Sequence, residues 1–337
     1  MMLRLMDQRS NCKAWLNIFA FALLLPILTA NFCNAQDSAN HASPSPTSRS
    51  SKHAESHSDT YTLVGAGDIA WCGDLSGAKA TAKIIQGIAH AAVFAAGDLA
   101  YERGTDEEFR CYDRTWGKFR DRTYPAPGNH EYNGSEAVGY FHYWGKQAGE
   151  PEKGYYSFNL GSWHIVVLNT NCYSKELGGC AQGSPQETWL RNDLAEHPNA
   201  CILAFGHHAL FSSGLNPRHA IHPELRPLWQ DLYDAHADLV LAGHEHSYER
   251  FAPQSPDGRA DPENGIREIV AGTGGKDHTP LGFARENSEV RNANTFGVLK
   301  LTLSPEKYTW QFIPVPGGDF KDSGSGACHN ERVSANQ

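Results

Sequence analysis

The sequence has no C-x-x-C pair, no excess of basic residues and no uninterrupted apolar run of membrane-spanning length. The first absence argues against a zinc site of the usual cysteine spacing. The second removes nucleic acid as a main partner: 38 acidic residues outweigh 29 basic ones, for a formal charge of −9. Three of those bases (Arg4, Arg9, Lys13) sit in the first 35 residues beside one acid (Asp7), so the remainder is more acidic still and repels polyanions. The third excludes a multi-span membrane protein. Ala14 to Ala30 is the one extended apolar stretch, and Asn17 and Pro26 break it short of the roughly 20 apolar residues a span needs. What is present, 40% hydrophobic and 20% charged residues over 337, is the balance of a globular protein and not of a disordered or collagen-like chain.

Preceded by Arg4, Arg9 and Lys13 and followed by Cys33-Asn34-Ala35, that apolar stretch reads as a secretory signal peptide over residues 1–35, cleaved near Ala35. Retention as a membrane anchor is the competing reading, and Phe32 ahead of Cys33 argues against a lipoprotein signal. The expected location is secreted or periplasmic, with no membrane span after cleavage. Cys12 and Cys33 would leave with the signal. The other six (Cys72, Cys111, Cys172, Cys180, Cys201, Cys328) would then meet an oxidising compartment, where disulfides are expected. Several pairings are open. Cys172 with Cys180 would close one short loop, and Cys72 with Cys111 and Cys201 with Cys328 are expected for the rest.

Residues 36–59 are rich in Ser, His, Ala and Pro, too polar to offset their ordering entropy, and read as a flexible linker. From residue 60 to 320 one domain is expected, with a tail over 321–337; no internal repeat is found. Short β-rich runs (TYTLVGAG, AAVFAAGD, CILAFGHH, DLVLAGHEH) alternate with helical patterns (SGAKATAKIIQGIAH, HPELRPLWQDLYDAHA), which implies a layered α/β domain. YYSFNLGSWHIVVLNT reads as a hairpin turning at Leu160-Gly161. Ser184-Pro185-Gln186-Glu187 reads as a capping box opening a helix through Leu194. GIREIVAGTGG, FGVLKLTLS and KYTWQFIPV add strands without helices between them. Mixed sheets covered by helices follow.

The polar residues fall at the ends of these runs. Asp68, Asp98, His207 and His244-Glu245-His246 each follow an apolar strand-like run, and Asn129-His130 follows the turn PAPG. In open α/β sheets, sites form in the loops beyond the carboxyl ends of strands. Taken singly, Asp68, Asp98 and Asn129 read as turn residues after glycine. His244 and His246 alternate, so in an extended segment they face the same way. Together the carboxylates, the amide oxygen and the imidazoles form a donor set that suits Fe, Mn or Zn.

In order, GDIA (Gly67 to Ala70), GDLAY (Gly97 to Tyr101), GNHE (Gly128 to Glu131), GHH (Gly206 to His208) and GHEH (Gly243 to His246) resemble the five metal blocks of the calcineurin-like metallophosphoesterases, purple acid phosphatase branch. The resemblance implies a four-layer α/β/β/α sandwich of two mixed β-sheets flanked by helices, with the metal site at strand carboxyl ends. It implies that Asp68, Asp98, Tyr101 and His246 hold one metal while Asp98, Asn129, His207 and His244 hold the other, Asp98 bridging. Many relatives have D-x-H in the first block. Here Ala70 takes the third position and Tyr101 stands where the purple branch has a phenolate, which implies Fe(III) at the tyrosine site and Fe, Zn or Mn at the second.

Two cations about 3.5–4 Å apart bind a phosphoryl group, lower the pKa of water and offset charge on the attacking and leaving oxygens. The expected function is therefore an exported phosphatase acting on small-molecule phosphate monoesters through a hydroxide held by the metals. His130, outside the ligand set, would assist the leaving group; a hydrogen-bonded structural histidine is its bland reading. His219 and His222, just beyond His207, are candidate substrate contacts, and Trp71, Tyr248 and Arg250 are read as bracing residues. A phosphodiesterase or nucleotidase on the same scaffold, and an inactive exported binding protein, are the alternatives; the complete ligand set argues against the latter. The 24 residues from Gln36 to Asp59 cannot supply the N-terminal β-sandwich of the plant-type enzymes, so the single-domain form is expected. Asn133-Gly134-Ser135 would accept a glycan in a eukaryotic secretory pathway.

Overall fold

A computed structural model describes residues 60–134, 136–198, 200–215 and 220–329. The expected signal peptide and linker, and His219, lie outside these residues. Among the described residues no helix is long and apolar enough to cross a membrane.

Period-2 alternation makes the strands two-faced, and two sheets result. In the first, β1 (Tyr61–Ala66), β3 (Ala92–Ala96) and β5 (Thr123–Ala126) run parallel, and β13 (Gly297–Leu303), β14 (Lys307–Pro314) and β15 (Ser323–Ala327) add antiparallel strands in the order β15-β14-β13-β1-β3-β5. The second contains β6 (Tyr156–Leu160), β7 (Trp163–Val167), β8 (Cys201–Phe205), β9 (Leu239–Ala242), β10 (Tyr248–Phe251), β11 (Arg267–Ala271) and β12 (Ser288–Asn292), in the order β12-β10-β11-β9-β8-β7-β6. A short parallel pair, β2 (Ala70–Trp71) with β4 (Ala100–Tyr101), lies beside the site.

Alternate residues of the same strands go to different cores. Leu63, Phe94 and Leu301 meet Ile165, Leu203 and Leu241 between the sheets. Val64, Val93 and Val298 face α1 (Ser76–Gln86), α2 (Asp106–Asp113) and α4 (Val138–Trp144), through Ala82, Ile85, Phe109 and Trp144. On the far side Ile202 and Val240 pack on α5 (Pro185–Glu196) and α6 (Arg226–Asp234), through Leu190, Leu194, Leu228 and Trp229. Helix, sheet, sheet and helix are thus the four layers expected.

Local signals held with two differences. The hairpin forms where expected, Leu160 pairing with Trp163. At α5, Ser184 Oγ accepts from Glu187 N (3.3 Å), but the Glu187 carboxylate takes Gly183 N (2.8 Å), so only half of the expected box exists. The complete capping box is at α2, between Thr105 and Glu108. The second difference is the tail. Residues 323–327 form β15, because Gly324 and Gly326 leave room for the rings of Trp310 and Tyr308; a Cβ at either position would stand 2.2 or 2.4 Å from ring carbons. The expected tail therefore belongs to the domain at least to His329, whose N–H donates to Asp238 Oδ1 (2.7 Å).

Among the described residues three disulfides form, Cys72–Cys111, Cys172–Cys180 and Cys201–Cys328. The last joins β8 of one sheet to the end of β15 in the other.

Candidate metal centre

Five chain reversals at strand carboxyl ends build the site. After β1, β3 and β9 a glycine is followed by Asp68, Asp98 or His244, each with positive φ (61°, 51° and 69°). Asp is among the non-glycine residues that accept this conformation, and such strain persists where surrounding structure fixes it. The turn after β5 leads into the short helix α3 (Asn129–Tyr132), which presents Asn129 and His130. Gly128 is required there, since a Cβ would lie 2.1 Å from Asp98 Oδ1.

Two groups of donors converge on the buried carboxylates Asp68 and Asp98. In the first, Tyr101 Oη donates to Asp68 Oδ1 (2.7 Å), and His246 Nε2 lies 3.0 Å from Tyr101 Oη and 3.2 Å from Asp68 Oδ1. In the second, His207 Nε2 lies 3.2 Å from Asp98 Oδ2, 3.0 Å from Asn129 Oδ1 and 3.2 Å from His244 Nδ1. Asp68, Asp98 and His207 bring one donor atom each within 4.8 Å of one another, which connects the groups. All seven expected ligands are brought together.

The donor set fits cations. His207 Nδ1–H donates to Ala96 O (2.9 Å), so in a neutral ring Nε2 carries a lone pair facing two oxygens. His246 Nδ1–H bonds Asp277 Oδ1, leaving its Nε2 facing Asp68 and Tyr101. Electron-rich atoms so close need positive charge between them. Without metal only protons can supply it: burial opposes a charged His207, yet Asp98 outweighs burial and raises its pKa to about 9. Burial likewise opposes a charged His246, and Asp68 and Asp277 raise it to about 10. Burial alone would raise the Asp98 carboxyl, but His207, His130 and His244 pull it well below its ordinary value. Burial, then Asp68 and Asp98, push the Tyr101 phenol well above its ordinary value.

His130 lies at the edge of this cluster. Its backbone N–H donates to Asp98 Oδ1 (2.8 Å) and its Nδ1–H to Glu102 O (2.8 Å), while Nε2 stands 3.9 Å from Asp98 Oδ2. It lines, with Asp98, Asn129, His244, His246, Asp277 and Thr279, a cavity of about 210 Å³. His222 approaches from beyond β8, its ring centroid 5.1 Å from that of His244 and 4.2 Å from His208. Trp71 packs under Lys276 Nζ (4.1 Å), whereas Tyr248 and Arg250 both bond Asp322 Oδ2 (2.7 Å each) and brace the sheet.

Two residues had no role assigned from sequence. Glu131, fully buried, accepts from the N–H groups of Asp98 (3.0 Å), Leu99 (2.8 Å), Ala100 (3.1 Å) and Gly128 (2.7 Å), tying two metal blocks together. It is the last residue of the GNHE block, which is the signal that could have found it. Asp277 orients His246 from a loop 31 residues later, and no local pattern marks it.

Residues 61–248, more than half of the chain, match the Calcineurin-like phosphoesterase family. The chain is 26% identical over 188 residues to probable inactive purple acid phosphatase 9 of Arabidopsis thaliana, covering 50% of this chain and 28% of that one. It is 32% identical over 146 residues to acid phosphatase type 7 of Mus musculus, covering 38% and 32%. These matches span about a third of the length of the curated relatives. The fold is similar to purple acid phosphatase PPD1 from yellow lupin (Lupinus luteus) seeds, with TM-score 0.60 at 21% identity over 80% of this chain and 54% of that one. The family match and the fold lead to one conclusion, which the purple acid phosphatase relatives support at the level of the branch: the chain belongs to the calcineurin-like phosphoesterase family.

Proposed function

We propose that the protein is an exported phosphatase that hydrolyses small-molecule phosphate monoesters at a dinuclear centre. Asp98 carries this reading, because one buried carboxylate lies between the Asp68–Tyr101–His246 group and the Asn129–His207–His244 group. Cations bound there would neutralise phosphoryl charge and acidify a water. Tyr101, its phenol seated on Asp68, favours Fe(III) at the first position, with Fe, Zn or Mn at the second.

The chain's own residues would supply the rest. His130 is committed through Nδ1 to Glu102 O, so Nε2 is the nitrogen able to carry a proton to the leaving oxygen. His222 is read as a substrate contact because its ring stands against His208 and His244 at one side of the centre; His219 keeps the same proposed role. Three disulfides support an oxidising compartment, and hence export by the segment read as a signal peptide, before a catalytic unit that begins near residue 60.

The test pairs metal content with rates on monoester and diester panels, for the protein and for Asp98→Ala. The expected result is a preference for monoesters, with both cations and turnover lost together in the variant. Faster hydrolysis of diesters would overturn the monoester assignment, and full metal content with normal turnover in Asp98→Ala would overturn the shared carboxylate.

A further inference from the structure

A second cluster of metal-competent side chains lies apart from the phosphoesterase centre, where α5 packs on the β6–β7 hairpin. It consists of His164 on β7, 1% exposed, Asp193 on α5 and His197 at that helix's C-terminal end. One donor atom from each lies within 4.8 Å of the other two.

The surrounding hydrogen bonds leave the inner atoms facing one another. His164 Nδ1–H donates to Asn159 Oδ1 (2.9 Å) and His197 Nδ1–H to the Asp193 carbonyl (2.8 Å), so in neutral rings both Nε2 atoms carry lone pairs. Ser157 Oγ–H donates to Asp193 Oδ1 (2.7 Å), which leaves Oδ2 directed at His164 Nε2, also at 2.7 Å. With Asn159 presenting its oxygen to Nδ1, the Nε2 lone pair and a carboxylate oxygen at that distance require a positive charge between them, whereas a reversed Asn159 amide with the proton on Nε2 gives a purely hydrogen-bonded brace that metal analysis distinguishes. A second proton on His164 would meet the requirement, but it would place an imidazolium face to face with His197, whose ring is stacked at 3.7 Å. A divalent cation meets it with all three residues, and partners that orient each ligand are what metal-binding histidines ordinarily have.

We propose that His164, Asp193 and His197 form a binding site for one divalent cation of the Zn²⁺ class, tying the hairpin to α5. Two imidazoles and a carboxylate at roughly 2.0–2.2 Å are ordinary ligands for that ion and leave a fourth position for water. The rings are 15° from parallel, so binding requires His197 to turn about its side-chain bonds and open the stack. The site shares no residue with the phosphoesterase centre and does not depend on the function proposed for it.

The experiment uses the full chain with its phosphoesterase centre loaded, equilibrated with Zn²⁺ and then freed of excess by gel filtration. The protein should hold one more Zn²⁺ per chain than His197→Ala or Asp193→Asn, while hydrolytic turnover is equal in all three. Zn²⁺ should raise Tm in the unaltered protein and in neither variant. Cu²⁺ substituted at the site should give an electron paramagnetic resonance spectrum with coupling to two imidazole nitrogens, reduced to one in His197→Ala. Equal Zn²⁺ content and an equal Tm response in all three proteins would overturn the proposal and leave a hydrogen-bonded brace. If Asp193→Asn fails to fold, His197→Ala, at a partly exposed helix end, decides the matter alone.

Discussion

The phenol oxygen of Tyr101 lies 2.7 Å from Asp68 Oδ1, and His246 Nε2 is 3.0 Å from the same phenol. Burial and the Asp68 and Asp98 charges hold that phenol protonated far above its ordinary pKa, so metal-free protein should show no phenolate absorption. A trivalent cation would reverse this by displacing the proton. Loading with Fe(III) should therefore turn the protein pink to purple, and Tyr101→Phe should abolish the colour while Asp68 and His246 remain available. An absorption spectrum with metal analysis of protein from its native host checks this; a colourless, iron-free, active enzyme would remove the Fe(III)–phenolate reading and leave the phosphoesterase one.

Substitution of His130 should separate binding from chemistry. Its side chain bonds Glu102 O and not the buried carboxylates, the nearest of which, Asp98 Oδ2, is 3.9 Å from Nε2. His130→Ala should keep both cations yet lose turnover by on the order of 10² to 10⁴ fold if the ring protonates the leaving group. Substrates whose leaving group needs no proton should lose much less. Metal content falling in proportion to activity would make it a ligand, and unchanged turnover would make it structural.

How far the sequence could be read follows from which forces act locally. The strands around the site are apolar runs ended by Gly-Asp, Gly-His or Gly-Asn, so the positions of Asp68, Asp98, Asn129, His207 and His244 were legible from chain patterning. The edge strand β15 was not. Ser323–Ala327 is SGSGA, with no apolar alternation, and becomes a strand only because Trp310 and Tyr308 cover its glycines. Ser184 and Glu187 have capping-box spacing, yet whether Glu187 turns to Gly183 or to Ser184 is decided by loop geometry that spacing does not contain. Asp277 reaches His246 only through tertiary structure.

Glu131 is the clearest case of a residue that acts through another. Its carboxylate accepts four backbone N–H groups, three of them from Asp98, Leu99 and Ala100. Glu131→Ala would leave those buried donors without an acceptor, at a cost of roughly 3 kcal/mol or more. Because the Asp98 loop would relax, cation content should fall as well. Glu131→Gln keeps the volume but presents an amide N–H to donors, so it should recover only part of the stability. Urea unfolding with metal analysis measures both; an Ala variant of normal stability and full metal content would mean that the loop is held by other contacts.

Removing the metals should expose a pH dependence that the loaded protein lacks. His207 and His246 have folded-state pKa values raised from 6.5 to about 9 and about 10, burial opposing the charge and Asp98 or Asp68 with Asp277 outweighing it. Their contribution to stability is fully present below 6.5, the unfolded value, and is lost as pH rises through 9 and 10. Asp98 runs the other way: its lowered pKa contributes stability above the ordinary carboxylate value of 3.8, lost as pH falls further. Metal-free protein should thus be most stable between these limits and should melt at progressively lower temperature on the alkaline side. In a metal-loaded protein the cations would take the place of the imidazole protons, so it should hold its Tm there. The same exchange predicts that loading at pH 7 releases about two protons from His207 and His246, measurable as a buffer-dependent heat of binding. A metal-free protein with a level Tm through that alkaline range, and loading heats independent of buffer, would mean that these imidazoles are neutral before the cations arrive.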